Sequence, residues 1–144
     1  TAFTTAQKLP SFGKIDKADL LSTDCSYDPG AEVEYLVDFA EVKYFFNSSE
    51  FINETKHRIR IKILKEKGLD VANVRLPFYK VGNRQSMGQI DGYTYNLDEK
   101  GEVAGTKLER KSVMEQKINE VADMVVFTLP NVKVGSVIEY RYTH

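Results

Sequence analysis

The chain has 144 residues, which fits one domain and allows a buried hydrophobic core. Hydrophobic residues make up 42% and charged residues 28%, a composition that excludes a disordered chain. Twenty basic and twenty-one acidic residues give a formal charge of −1, so nucleic acid is not an expected partner, and no apolar run reaches the ~20 residues that a membrane span needs.

The first part of the chain carries few sequence signals for regular secondary structure or export. Residues Thr1–Gln7 lack the charged and apolar regions of an export signal, and residues 1–14 as a whole are interpreted as a lead-in segment without a regular period. At Asp16–Leu21 the N-cap candidate Asp16, followed by Asp19 and two leucines, predicts one short helix.

Two alternating segments follow the turn at residues 28–30 and predict strands with one buried face. Their apolar positions are Val33, Tyr35, Val37 and Phe39 in the first, and Val42, Tyr44 and Phe46 in the second. Because the two sets are out of phase, a β-bulge is predicted near Ala40 and Glu41.

The clearest strand alternates Ile59, Ile61 and Ile63 with Arg58, Arg60 and Lys62. Turn residues at 47–50 predict a hairpin with the preceding strand. In this hairpin Asp38 is expected opposite Arg58, and Glu34 opposite Lys62.

The second half predicts more strands. Residues 71–76 form a short strand that Pro77 ends or places at a sheet edge, and 90–97 with 102–108 form a hairpin around the turn at Gly101. Residues 109–121 are compatible with a helix, a strand or a connection, and 124–129 and 136–142 read as the last strands. These elements predict a mainly β fold, an antiparallel β-sandwich or a strongly bent sheet, with about one short helix near the N-terminus.

Four stretches together resemble a known family: DPGA (28–31), HRIRIKILKEKGLDVANVRLPFY (57–79), IDGYTYNLDEKGEV (90–103) and FTLPNVKVGSVIEYRY (127–142). They are similar to the bacterial domain of unknown function that precedes transglutaminase-like domains in exported proteins. The resemblance covers about residues 12–143, and LPNVKVGSVIEYRY is its most specific part.

This resemblance implies a β-sandwich at the periplasm or cell surface. Its implied role is that of a non-catalytic accessory or scaffold domain, whose partner is a downstream transglutaminase-like domain with a papain-like Cys-His-Asp site. Residues 1–144 are therefore expected to form one domain of a larger protein, with the last strand at an open sheet edge.

Catalytic and metal sites are not expected. Cys25 is the sole cysteine, no helix begins after it to activate its thiol, and the order Cys25, Asp38, His57 differs from the Cys-His-Asp order of transglutaminase-like enzymes. Cys25 is predicted to be a packed apolar residue. His57 and His144 are too few for a transition-metal site, so no metal or other cofactor is expected.

Two binding surfaces are considered. The basic stripe Lys56, Arg58, Arg60 and Lys62 is either a solvated face paired with Glu34 and Asp38, which we favour, or a surface for an acidic partner or a lipid headgroup. The aromatic residues are either structural, with buried rings, which we favour, or a sugar or peptide platform; they are Phe78, Tyr79, Tyr93, Tyr95, Tyr140 and Tyr142. Three residues of the basic stripe and two of the aromatic residues form the candidate binding surface: Arg58, Arg60, Lys62, Tyr93 and Tyr95. The alternative function of the chain is a glycan- or peptide-binding β-sandwich module.

Overall fold

The computed structural model describes residues 8–144 and has eight strands there. They are β1 (Val33–Phe46), β2 (Phe51–Ile63), β3 (Asn73–Tyr79), β4 (Gly88–Leu97), β5 (Val103–Lys107), β6 (Met114–Lys117), β7 (Ala122–Thr128) and β8 (Val137–Thr143). One antiparallel sheet has the order β1-β2-β8-β4-β5 and the other β3-β7-β6. The prediction of a mainly β, antiparallel sandwich with one short helix is confirmed.

The remaining regular elements are short. Helix α1 spans Lys17–Leu21, and 3₁₀ turns span Glu66–Ala72, Val81–Asn83 and Arg110–Ser112. Within residues 8–144 no helix is long and apolar enough to cross a bilayer.

The hydrophobic core lies between the two sheets. Every second residue of β3 and β7 is buried, which is the period of a strand with one covered face. The core residues include Ile61, Ile63, Val74, Leu76, Phe78, Val125, Phe127, Leu129, Ile138 and Tyr140. Full burial of each large apolar side chain contributes about 1.5–3 kcal/mol, so this layer provides most of the stabilisation.

The predicted hairpin of β1 and β2 is confirmed, but its bulge lies elsewhere. The register shifts between Tyr35 and Val37, whereas the sequence predicted a shift near Ala40 and Glu41. The shift places the buried Val37 directly opposite Arg60, on the face of the sheet that points away from the core. Burial of Val37 on that second face explains the position of the bulge, and the sequence pattern contained no sign of a second covered face.

This bulge also changes the predicted cross-strand pairs. Glu34 lies opposite Lys62 as predicted, but Asp38 lies opposite Ile59, and Arg58 faces Phe39 instead. The predicted Asp38–Arg58 pair is therefore wrong.

The last strand is central in its sheet. β8 pairs with β2 on one side and with β4 on the other, so the expectation of an open edge is wrong. At its end His144 and Thr55 exchange backbone hydrogen bonds of 2.8 Å in both directions. The sequence could not reveal this placement because both partners of β8 are distant along the chain.

Residues 8–31, here called the N-terminal segment, cover the second face of the five-stranded sheet. Asp16 caps α1 as predicted, since its side chain accepts a 3.0 Å hydrogen bond from the Ala18 amide. Leu20 is buried and packs with Tyr95 and Val137 in a second, smaller apolar cluster. Residues 1–7 of the predicted lead-in lie outside the described residues.

The other predicted elements are confirmed with small changes. β4 and β5 form the expected hairpin, with Gly101 at a φ of 72° in its turn. Pro77 lies within β3, which is an edge strand of the smaller sheet. In the ambiguous stretch 109–121 the regular strand is β6.

Substitution of Gly68 tests how closely the Glu66–Ala72 turn packs against the start of β1. A methyl group at Gly68 would overlap the Glu32 carbonyl oxygen and lie 2.6 Å from Val33 Cγ1. We expect Gly68→Ala to lower the free energy of unfolding by about 1–3 kcal/mol, because backbone cannot move as a flexible side chain can. Gly88→Ala is the control, since nothing lies within 4 Å of its added methyl group. Urea denaturation measures both, and equal midpoints would contradict the described packing.

Candidate functional site

The five predicted surface residues share one face of the five-stranded sheet. Arg58, Arg60 and Lys62 point there from β2, and Tyr93 and Tyr95 from β4. The pairing aligns them in rows through β8: Arg60, Glu139 and Tyr93 form one row, and Lys62, Val137 and Tyr95 form the next. The structure therefore brings the predicted set together.

The N-terminal segment covers this face. Arg60 is 2% exposed, Lys62 is 1% exposed and Tyr95 is 4% exposed. The favoured interpretation of a solvated basic stripe paired with Glu34 and Asp38 is wrong for Arg60 and Lys62.

A carboxylate that the sequence analysis missed lies at the centre of this face. Glu139 is fully buried, and its Oε1 accepts hydrogen bonds from the Nη2 atoms of Arg58 (2.8 Å) and Arg60 (2.9 Å). Its Oε2 accepts from the Gly13 amide at 3.0 Å and from the Tyr95 hydroxyl at 3.4 Å. The available signal was an acidic residue between Ile138 and Tyr140 in β8.

Backbone carbonyls also accept hydrogen bonds from the buried cations, and three of these carbonyls belong to the N-terminal segment. Arg60 Nη2 donates to the carbonyl oxygens of Ser11 (3.1 Å) and Lys14 (2.7 Å). Lys62 Nζ donates to the carbonyl oxygens of Leu20 (2.8 Å) and Gly135 (2.7 Å). The buried cations thus hold the segment on the sheet.

The electrostatics of this face reflect its burial. Burial lowers the pKa of Lys62, and the nearby Asp19 carboxylate opposes that change. Burial likewise raises the pKa of Asp19, while Arg60 and Lys62 act in the opposite direction. Arg58 and Arg60 bind Glu139, and Lys62 binds backbone carbonyls, so these buried groups attach the N-terminal segment to the sheet.

Cys25 and His57, which the sequence analysis considered as a nucleophile and a base, lie in different surroundings. Cys25 is buried at an isolated bridge with Asp28, which confirms the prediction of a packed residue. The His57 ring stacks on Tyr142 with centroids 4.5 Å apart, and burial, then His144, lowers the pKa of His57. No hydrogen bond found in residues 8–144 joins Cys25 to His57. That the chain is not an enzyme stays a prediction.

The acidic, histidine and cysteine side chains were also searched for metal sites. Among the described residues no three of them are grouped so that they could hold a metal ion.

The six aromatic candidates do not form one exposed platform. Phe78 and Tyr140 belong to the core, and Tyr95 lies beneath the N-terminal segment. Tyr79 is 65% exposed on the smaller sheet. Phe78 and Tyr79 lie on the smaller sheet and the other four aromatic residues on the larger sheet, so the six side chains are not adjacent.

The most exposed aromatic surface lies instead on the far end of the first hairpin. Residues 40–55, here called the ribbon, contain the part of β1 and β2 that pairs only within the hairpin; β8 reaches β2 no further than the Thr55–His144 contact. One face of the ribbon carries Val42, Tyr44, Phe46 and Phe51, all exposed, and Phe51 is 82% exposed. Phe46 and Phe51 pair across the strands with ring centroids 5.1 Å apart.

Comparison with known families explains which part of this fold is shared. The model of a family described as "Domain of Unknown Function with solved-structure structure (DUF3857)" matches residues 52–144. The chain belongs to the DUF3857 family. The match runs from the start of β2 to the end of the chain, so it includes Arg58, Arg60, Lys62 and Glu139 of the buried cluster. The N-terminal segment and β1 lie outside it.

A solved structure gives a distant likeness. It is a protein from Parabacteroides distasonis ATCC 8503 described as a "putative protease", and it is similar to this DUF3857 chain with 10% sequence identity and a TM-score of 0.46. The alignment covers 63% of this chain and 19% of that chain, so the chain spans about one fifth of that protein's length. No curated protein sequence matches the chain.

Removing the buried charge tests the cluster. We expect Glu139→Gln to lower the free energy of unfolding by about 3–5 kcal/mol, because Arg60 would stay buried without its counter-charge. Glu102→Gln is the matched control: its carboxylate pairs with Lys17 at 3.4 Å on the surface, and its loss should change stability by no more than about 1 kcal/mol. Urea denaturation at neutral pH measures both variants. Similar midpoints for the two would contradict a buried ion cluster.

The buried phenol of Tyr95 beside Glu139 predicts that the stability of the domain falls at alkaline pH. Burial, and next the Glu139 charge, raises the pKa of Tyr95 to about 12 from its ordinary value of 10. A raised folded-state pKa contributes stability that is complete below pH 10 and is lost as pH rises toward 12.

We therefore expect Tyr95→Phe to lower the free energy of unfolding by about 1 kcal/mol at pH 8, because the hydrogen bond to Glu139 is lost. This deficit should shrink between pH 10 and 12, because the variant has no phenol to titrate. Tyr79→Phe, at an exposed ring, should show no such change. Guanidinium denaturation across this pH range checks it, and a deficit that stays constant or grows would contradict burial of the phenol.

Proposed function

We propose that this chain is a non-catalytic accessory domain of an exported, periplasmic or cell-surface transglutaminase-like protein, and that the apolar face of its ribbon packs against the downstream domain. The observation that carries this proposal is the exposed aromatic face of the ribbon. The sequence resemblance described above supports the identity of the partner, and membership of the DUF3857 family is consistent with it.

The ribbon's apolar face continues the core-facing side of the larger sheet. Residues of β1 at even positions share a face with β2 residues at odd positions, from Asp38 and Ile59 to Phe46 and Phe51. Ile59 packs against the core between the sheets, whereas Phe51 has no layer over it in the described residues. Contiguous apolar surface of this kind marks an interaction site. A docked domain would extend the sandwich over the ribbon.

The other face of the ribbon is less suited to such packing. It carries the ion pair of Lys43 with Glu41 at 3.2 Å, and Glu54, which pairs at 3.4 Å with Lys56 directly beyond the ribbon. Covering these charges would require their desolvation, which a surface pair does not repay. The proposal is therefore specific to the apolar face.

The geometry favours this role over a glycan- or peptide-binding module. That alternative required exposed aromatic residues or a sheet edge, and the candidate surface residues Arg60, Lys62 and Tyr95 lie buried beneath the N-terminal segment.

The test compares the isolated chain with the parent protein that includes the downstream domain. Hydrogen–deuterium exchange of residues 41–54 should be slower in the parent protein, with a domain interface above about 600 Å². Phe51→Ser should restore fast exchange in the parent protein while lowering the free energy of unfolding of the isolated chain by no more than about 1 kcal/mol, the contribution of one cross-strand pair. Tyr79→Ser, at another exposed ring, is the control. Equal exchange in the two proteins, with domains that tumble independently, would remove the proposed docking.

A further inference from the structure

A cleft of about 620 Å³ opens at one end of the larger sheet, where β4 and β8 separate. It lies between the middle of β2, the end of β8, the start of β4 and the Arg110–Ser112 turn. Its volume falls within the range of small-molecule sites, roughly 300–1,000 Å³. None of the buried-cluster side chains Arg60, Lys62 and Glu139 lines it.

A strand irregularity creates this cleft. Gly88 pairs with Thr143 and Asp91 pairs with Arg141, so two residues of β4 lie opposite one residue of β8. Such a bulge bends the strand and redirects its side chains. Gln89 takes a left-handed φ of 51°, which is uncommon for a residue other than glycine, and its side chain accepts a 3.1 Å hydrogen bond from the Thr143 hydroxyl.

The charges lining the cleft are mainly positive. Lys56, Arg110 and Arg141 contribute three cations, and Asp91 is the one carboxylate among the lining residues. Arg141 Nε and Nη2 donate to Asp91 Oδ2 at 3.1 and 2.8 Å, which fixes this guanidinium at the wall. A cleft with one sign of charge in excess concentrates ions of the opposite sign.

Arg110 is the cation that remains available to a ligand. In the described part of the chain its guanidinium takes part in no hydrogen bond or ion pair, whereas its neighbour Lys111 pairs with Glu109 at 2.7 Å. A guanidinium presents parallel N–H groups that match the oxygens of a phosphate or carboxylate. Arg110 can therefore bind such a group without breaking a contact.

The cleft also has an aromatic wall. Tyr142 and His57 are half-buried and stacked, and both line the cleft from the sheet face opposite that of Lys56 and Arg141. An apolar wall next to positive charge suits an organic molecule better than a bare inorganic ion. We propose that this cleft binds the phosphate or carboxylate group of a small organic anion. This inference does not depend on the docking of the ribbon.

The experiment titrates the ¹⁵N-labelled chain with citrate and, separately, with glucose 6-phosphate, at an ionic strength held constant with sodium chloride. We expect saturable shifts of the amide signals of residues 88–91, with a Kd of about 1 mM or below for at least one probe. Binding of citrate alone assigns a carboxylate ligand, and binding of glucose 6-phosphate alone assigns a phosphate ligand.

Two variants with equal charge loss make the test specific. Arg110→Ala should weaken binding at least tenfold, whereas Lys111→Ala, one residue away and outside the cleft, should change it less than twofold. Both positions are exposed, so both variants should keep the thermal midpoint of the unmodified chain. Absence of saturable shifts with either probe, or equal weakening by the two variants, would overturn the proposal.

Discussion

A carboxylate without exposed surface is stable in a protein when cations and hydrogen-bond donors replace its water. Glu139 meets this requirement in the middle of β8. Arg58 and Arg60 contact it from β2, and Tyr95 contacts it from β4 on the other side, so β8 has to lie between these two strands. The fourth donor is the Gly13 amide. One buried charge therefore couples the strand order of the larger sheet to the position of the N-terminal segment.

This coupling determines which surfaces are free to bind. Because Arg58 binds Glu139, and Arg60 binds both Glu139 and two carbonyls of the N-terminal segment, the covered face offers little to a ligand. The two surfaces proposed for binding both lie where β8 ends. Thr55 and His144 form the base of the ribbon, and the adjacent Lys56 and Thr143 line the cleft. In the proposed parent protein, an anion in the cleft would thus lie close to a domain docked on the ribbon.

The elements that the sequence predicted well depend on neighbouring residues. The Asp16 cap, the turn at Gly101 and the alternation of Ile59 and Ile61 each report local geometry, and all three recur in the structure. Alternation alone also suggested that Arg60 and Lys62 face water. It could not show otherwise, because residues 11–20, which cover them, lie far from β2 in the sequence and carry no pattern that specifies where they pack. The central place of β8 and the role of Glu139 depend on strands that are far apart in sequence.

The exchange rate of the Arg60 Nε–H proton, measured by NMR on the ¹⁵N-labelled chain, tests the buried cluster most directly. A proton that donates to Glu139 beneath the N-terminal segment exchanges only after the segment opens or the domain unfolds. We expect it to exchange at least a hundredfold more slowly than the corresponding proton of the exposed Arg75, and the Gly13 amide to be protected as well. Equal rates for Arg60 and Arg75 would show that water reaches this face and would contradict the account.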